Sequence, residues 1–287
     1  MDINSSPSNC ASQLLGTSVG AALIGVALLI ATVSPLSVSR AQDVDAPTVL
    51  ITGSNRGLGF EFAKQYAAKN WNVIATARNP DAADDLRALA EQYPNVAIEQ
   101  LDVTDRDMID ALAEKYKDQA IDVLLNNAAV LRGPTPDQTF GGIDFDLFNP
   151  YFQTNAMGPL QISQAFFEHV KASDQKIIAA LTARAGSFTS SSRGRNFPGI
   201  YFYRGSKAAL NKFMSQLARD IEEDGVKVAL LEPGIVIHNR DPDEEGRSFR
   251  GLVDSEDSIA GMIKVIENLT AEQSGKIYRW NGEEIQF

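Results

Sequence analysis

Cysteine is nearly missing from the 287 residues, and Cys10 alone can build neither an intramolecular disulfide framework nor a cysteine-ligated metal cluster. Histidine is almost as scarce: His169 and His238 leave no room for a histidine-rich metal site. No basic stretch occurs anywhere. With 26 Lys and Arg against 37 Asp and Glu the net charge is −11, which argues against nucleic acid or an anionic membrane surface as the main partner. Beyond residue 46 there is no linker, internal repeat or low-complexity tract. What is present is a hydrophobic share of 44%, enough to bury a substantial core. Such a composition suits a soluble, metal-free globular protein.

Charge is also absent between Asp2 and Arg40. Residues 19–33 (VGAALIGVALLIATV) are almost purely apolar, a length typical of a signal peptide core and short for a membrane span of roughly 20 residues. Pro35 follows, and Ser39-Arg40-Ala41 places small residues where a signal peptidase reads, so cleavage after Ala41 and export is the first reading. Against it, no Lys or Arg precedes the run. The apolar stretch can be extended over residues 14–38 as an uncleaved anchor, with Arg40 favouring a cytoplasmic catalytic domain. A mis-assigned start, with a cytoplasmic protein, is the third reading. Residues 1–41 are therefore set apart as leader or anchor, and residues 42–287 are read as one domain.

From Thr48 onward, short apolar runs alternate with helical patterns. Residues 48–52, 72–77, 96–101, 121–125, 176–181 and 226–231 read as strands, several apolar on both faces as in a covered parallel sheet. Helical stripes run through Leu86, Leu89 and Tyr93, through Ile109, Leu112 and Tyr116, and through Leu210, Phe213, Met214, Leu217 and Ile221. Another comprises Ile259, Met262, Ile263 and Ile266. Asp81, Thr104 and Asp257 stand near helix starts as caps or first-turn acids. His169, late in a helix, reads as a favourable charge at a C-terminal dipole. Residues 240–256 lack periodicity and read as a long loop. Strands alternating with helices predict an α/β fold, a single doubly wound Rossmann-type domain with a mainly parallel sheet.

The first strand runs into Thr52-Gly53-Ser54-Asn55-Arg56-Gly57-Leu58-Gly59. Glycines there let the backbone turn tightly and let a pyrophosphate approach a helix N-terminus. Strand, glycine turn and helix in that order point to dinucleotide binding. A triphosphate P-loop is disfavoured, because no Lys-Ser/Thr pair follows the glycines.

The GxxxGxG spacing resembles the short-chain dehydrogenase/reductase family, and the similarity extends over about residues 49–287. Asp102 matches the family's contact to the adenine amino group, with Val103 beside it. Asn126-Asn127-Ala128-Ala129 matches its NNAG motif with alanine in place of glycine. Asn155 matches the helix asparagine, Tyr203-Arg204-Gly205-Ser206-Lys207 matches YxxxK, and Pro233-Gly234, followed by Val236, matches the turn after the sixth strand. Within the family, residues 203–211 and the C-terminal segment SGKIYRWNGEEIQF resemble carbonyl reductases of the sniffer and C-factor type. The resemblance implies a cofactor site of Gly53, Asn55, Arg56, Gly57, Leu58, Gly59, Arg78, Asp102, Val103, Asn127, Ala128, Tyr203, Lys207, Pro233, Gly234 and Val236. The second strand ends without the acid that holds NAD ribose hydroxyls, while Arg56 and Arg78 suit a 2′-phosphate. NADP(H) is favoured, with NAD(H) the alternative.

Tyr203 and Lys207 lie four apart at a helix start, so both project from one face. A neighbouring ammonium is expected to bring the phenol, ordinarily near pKa 10, toward the working range. The phenol then exchanges a proton with a carbonyl or alcohol while hydride moves to or from the nicotinamide. Asn155 is expected to fix a water that relays protons to Lys207. The family's serine, which hydrogen-bonds the substrate carbonyl, has no clear counterpart. Counting from the strand places Thr182 there, counting back from Gly186 places Ala183, and Ser187 or residues 189–192 are further alternatives. Thr182 ranks first. His238 stands where the family usually has threonine. Residues 129–142, 184–202 and 238–253 are expected to line the substrate pocket. These departures motivate a rival reading, a dinucleotide-binding sensor or scaffold without chemistry. The resemblance implies either an oligomer paired through the fourth and fifth helices or, from the serine-rich insertion before Tyr203, a monomer similar to monomeric carbonyl reductases.

Overall fold

The computed structural model describes residues 46–131, 135–188, 200–236 and 252–286, all within one compact unit, Arg40–Phe287. Strands β1 (Thr48–Ile51), β2 (Asn72–Ala77), β4 (Val123–Asn126) and β5 (Ile177–Leu181) are buried at every position, as their apolar sequences require. With β3 (Val96–Gln100), β6 (Lys227–Glu232), β9 (Ile277–Arg279) and β10 (Glu284–Ile285) they form one eight-stranded sheet of order β10-β9-β6-β5-β4-β1-β2-β3. Every pairing is parallel except β9 with β10. A separate two-stranded pairing joins β7 (Ile235–Val236) to β8 (Leu252–Val253).

Helices cover both faces. On one face α1 (Gly57–Ala68), α2 (Asp84–Gln92) and α8 (Ser255–Glu267) share a core with Ile51, Leu125, Leu181 and Leu231. On the other, α3 (Arg106–Lys115), α5 (Gly158–Ala165), α6 (Phe167–Lys171) and α7 (Tyr201–Asp220) pack on Leu50, Leu124, Ala180 and Leu230. The α8 stripe Ile259, Met262, Ile263 and Ile266 is fully buried, each side chain worth about 1.5–3 kcal/mol of apolar transfer. The chain winds outward from β1 through β2 to β3, then crosses back to β4 on the other side of β1. That reversal opens a crevice at the carboxyl ends of β1 and β4, where doubly wound sheets bind ligands.

Several expectations are corrected. Asp105, not Thr104, caps α3 by accepting from the Met108 N–H at 3.0 Å; Asp254 caps α8 through the Glu256 N–H, with Asp257 an acid of its first turn as expected. His169 lies in the last turn of α6, as expected, and its Nε2 also pairs with the Ala113 carbonyl at 3.0 Å. The loop expected over residues 240–256 ends early, in β8 and the first turn of α8. The asparagine helix is interrupted by a π-helical turn, Gln153–Met157, between α4 (Phe148–Phe152) and α5. Pro159 withholds the N–H that α-helical spacing would return to the Asn155 carbonyl, and the ladder widens there. No described helix is long and apolar enough to cross a membrane. The segment read as leader or anchor lies outside the described residues, as does His238.

Candidate active site

The glycine loop closes onto the end of β4. Gly53 has φ +70°, and a Cβ at Gly59 would lie 2.2 Å from the Gly53 carbonyl oxygen, a distance no side chain permits. Asn127 straps the loop down, its Nδ2 donating to the carbonyls of Thr52 (2.8 Å) and Gly53 (3.0 Å). The N–H groups of Asn127 and Ala128 both donate to Thr52 Oγ1. Helix α1 then starts at Arg56 with no side-chain cap and no acid in its first turn. Its first N–H groups and the positive end of its dipole are left for an anion.

The loop is tied to β2 by the Ser54 N–H donating to the Thr76 carbonyl at 2.7 Å, so Arg56 and Arg78 flank one edge of the crevice. Arg87 and Arg106 are paired with Asp84 and Asp110. Arg56 and Arg78 are exposed and make no ion pair among the described residues. Asp102 spends Oδ1 on the Thr104 N–H (2.9 Å) and hydroxyl (2.7 Å), leaving Oδ2 for a further donor. Val103 is buried beside it, its carbonyl against the glycine that starts α5. Gly234, at φ +84°, lets the Pro233 turn fold against Val253 and Trp280, and Ser258 Oγ holds the Pro233 carbonyl at 2.7 Å. Val236 follows in β7 beside Val253.

Tyr203 and Lys207 project from the first turns of α7. Lys207 is 3% exposed and donates from Nζ to the Leu181 carbonyl at 2.7 Å, with Nζ 6.0 Å from the centre of the Tyr203 ring. Burial pushes the ammonium down to about 8. Burial also pushes the half-buried Tyr203 phenol up to about 12, assisted by the negative charge of Glu232 and by Tyr151. Desolvation, not the neighbouring lysine, governs this pair, so the expected lowering of the phenol is not found. Asn155 is buried in the π turn. Its Oδ1 accepts from the Val130 N–H at 2.7 Å, and its Nδ2 donates to the Val130 carbonyl and to Ser206 Oγ, each at 3.0 Å. Ser206 Oγ in turn donates to the Tyr203 carbonyl at 2.9 Å, so Asn155 braces the turn that carries Tyr203 and Lys207.

Thr182 faces α7. Its hydroxyl donates to Asn211 Oδ1 and its N–H to the Leu231 carbonyl at 2.8 Å. A hydroxyl has one proton, and in this arrangement it is directed at Asn211 Oδ1. Ser187 is likewise committed, donating from Oγ to the Gln286 carbonyl at 3.1 Å. Ala183 between them has no donor in its side chain. The expected pocket lining falls partly on residues 132–134, 189–199 and 237–251, outside the described residues.

The family model for short chain dehydrogenase matches residues 47–242. The chain belongs to the short-chain dehydrogenase family. An uncharacterised oxidoreductase of Schizosaccharomyces pombe is 32% identical over 257 residues, covering 83% of this chain and 96% of that protein. Among solved structures, this short-chain dehydrogenase is similar to the NADPH-bound carbonyl reductase from chicken fatty liver, at TM-score 0.76 and 30% identity, covering 84% and 99% of the two chains. The carbonyl reductase Sniffer of D. melanogaster follows at TM-score 0.72 and 26% identity, covering 84% and 100%.

Sequence reasoning missed Tyr151 on α4 and Glu232 ending β6, which act on Tyr203, and Arg184 on the turn after β5 and Arg279 ending β9, which act on Glu232. Glu232 had a visible signal, an acid closing the apolar run Val228-Ala229-Leu230-Leu231 directly before the Pro-Gly turn.

Proposed function

We propose that this short-chain dehydrogenase reduces a small carbonyl substrate with NADPH, Tyr203 being the proton donor. The observation that carries the reading is the Tyr203–Lys207 pair, held on α7 against the end of β5 and beside the crevice bounded by an uncapped α1. A phenol pushed up to about 12 is almost entirely protonated near neutrality, which is the form carbonyl reduction needs. The nicotinamide cofactor would supply the hydride. Gly57, Leu58 and Gly59 would offer their N–H groups to its pyrophosphate, Arg56 and Arg78 their guanidinium groups to a 2′-phosphate, and Asp102 its open oxygen to the adenine. Asn55, Val103, Asn127, Ala128, Pro233, Gly234 and Val236 would wall the same crevice.

Lys207 and Asn155 act through position. Lys207 fixes the crevice side of α7 to β5, and Asn155 braces the turn before it. Thr182 fixes Asn211 and leaves polarisation of the carbonyl to Tyr203 itself. NADPH consumption with a panel of aldehydes and ketones tests the reading. Tyr203→Phe is expected to lower kcat by about 10²- to 10⁴-fold with NADPH binding intact. A wild-type chain that binds NADPH but turns over no carbonyl would overturn the reading in favour of a binding protein.

A further inference from the structure

Two glycines make room for one tryptophan. Trp280 follows β9 in the turn to β10, half-buried, and its N–H donates to the Glu232 carbonyl at 2.9 Å, which sets it beside the carboxyl end of β6. On one side it meets α8. A Cβ at Gly261 would lie 2.2 Å from the Trp280 carbonyl oxygen and 3.0 Å from Cε3 of the indole. Glycine in a helix interior costs stability relative to alanine, and here the close approach of Trp280 requires it. On the other side the pyrrole edge of the indole meets the Pro-Gly turn, where a Cβ at Gly234 would lie 3.2 Å from both Cδ1 and Nε1. Trp280 therefore bridges α8 and the turn.

The sheet does not fix this turn. Beyond it the chain enters β7, which pairs only with the two residues of β8 among the described residues. Side-chain contacts hold it instead: Ser258 Oγ on the Pro233 carbonyl at 2.7 Å, Val253 Cγ1 at 3.0 Å from the Cβ position of Gly234, and the indole. Strands β6 and β9 run parallel to β1 and β4, so the turn and Trp280 both stand at the edge of the sheet where the crevice opens. In the reductase reading above, Arg56, Arg78 and Asp102 take the adenosine half of the cofactor beside β2 and β3. The reactive half then extends across β4 and β5 toward β6 and its turn. Resting on that reading, we propose that Trp280 is a positioning residue: its indole backs the Pro233-Gly234 turn and fixes the crevice wall beside the nicotinamide.

Trp280→Leu removes the planar ring and keeps an apolar side chain. It is expected to lower kcat by about tenfold or more, because small misplacements of the reacting atoms cost rate steeply. NADPH affinity, carried mainly by the glycine loop and the arginines, should stay within about threefold of wild type. Values of kcat/KM for a carbonyl and for the matching alcohol should fall together, since a positioning defect leaves the reaction equilibrium unchanged. Trp280→Phe returns a ring to the same place and should recover most of the rate. A Trp280→Leu chain that unfolds more readily yet keeps wild-type kcat would show a merely structural tryptophan and overturn the proposal. Fluorescence reads the contact without turnover. The chain has two tryptophans, and Trp71 lies against Tyr66 before β2, at the opposite edge of the sheet. In a Trp71→Phe chain the emission of Trp280 is expected to change on saturation with NADP⁺, which does not absorb where tryptophan emits. In a Trp280→Phe chain the emission of Trp71 should not change. Calorimetric binding of NADP⁺ beside a silent Trp280, or an equal response from Trp71, overturns the proposal. A responding Trp280 in a chain that turns over no carbonyl sinks only the reductase reading, and a chain that does not bind NADP⁺ sinks both.

Discussion

Thr182 shapes the turn after β5 through Asn211, and Ala183 beside it has no side-chain proton to offer. Removing the Thr182 hydroxyl, as in Thr182→Val, should cost about 1–3 kcal/mol of stability by leaving a buried amide oxygen unpaired, visible in denaturant unfolding, with a smaller effect on kcat. Ala183→Ser adds an uncommitted hydroxyl at the half-buried neighbouring position, and should raise kcat/KM by about tenfold or more if it reaches the carbonyl. Lys207 carries a different cost. Its folded pKa of about 8 lies below the ordinary 10.5, so the unfolded chain binds more protons between those values and stability rises with pH through that window. Lys207→Met should therefore stabilise the fold near neutrality by about 2–3 kcal/mol while abolishing turnover. The gain should shrink toward zero as pH approaches the pKa of free lysine. A neutral or destabilised variant at neutral pH would show that the bond to Leu181 outweighs desolvation.

The π turn is the element on which this geometry depends. Pro159→Ala restores the missing N–H and lets regular α spacing run through Asn155. Stability should hold or rise, and kcat should fall by about tenfold or more as Asn155 loses its register with Val130 and Ser206. Thermal unfolding beside steady-state kinetics would separate the two effects. Strands such as β2 and β5 were legible in the sequence because a strand covered on both faces must be apolar at successive positions. The glycine loop was legible for a related reason, since the close approach at Gly59 admits no other residue. The π turn was not, because an i to i+5 ladder leaves no compositional mark beyond one proline. β9 and β10 were not either: three and two residues at a sheet edge are too short for any period to emerge. At the site, Tyr203 and Lys207 were found by spacing, whereas the hydrogen bond that turns Thr182 toward Asn211 depends on a contact across 29 positions.

On the scale of the whole molecule, electrostatics work against an anionic cofactor. The chain carries −11, and NADPH is itself a polyanion, so long-range repulsion must be offset locally. The described structure does so with Arg56 and Arg78, which make no ion pair among the described residues, whereas Arg87 and Arg106 are neutralised by aspartates. A guanidinium on a phosphate is worth about 1.5–3 kcal/mol, or roughly 10- to 150-fold in affinity. Arg78→Asp should therefore weaken NADPH by about that factor or more and leave NADH nearly unchanged, since only NADPH carries the 2′-phosphate. The same logic fixes a salt dependence. Raising ionic strength should narrow the NADPH preference of the wild type, because exposed charges are screened over a Debye length of about 10 Å at 0.1 M. In Arg78→Asp the repulsion between the new carboxylate and the 2′-phosphate should be screened as well, so added salt should relieve part of the NADPH defect. Isothermal titration with both cofactors at two ionic strengths measures all four quantities. Equal weakening of NADPH and NADH in Arg78→Asp would mean that the arginine shapes the crevice wall, and preference for the phosphorylated cofactor would then have to come from Arg56 alone.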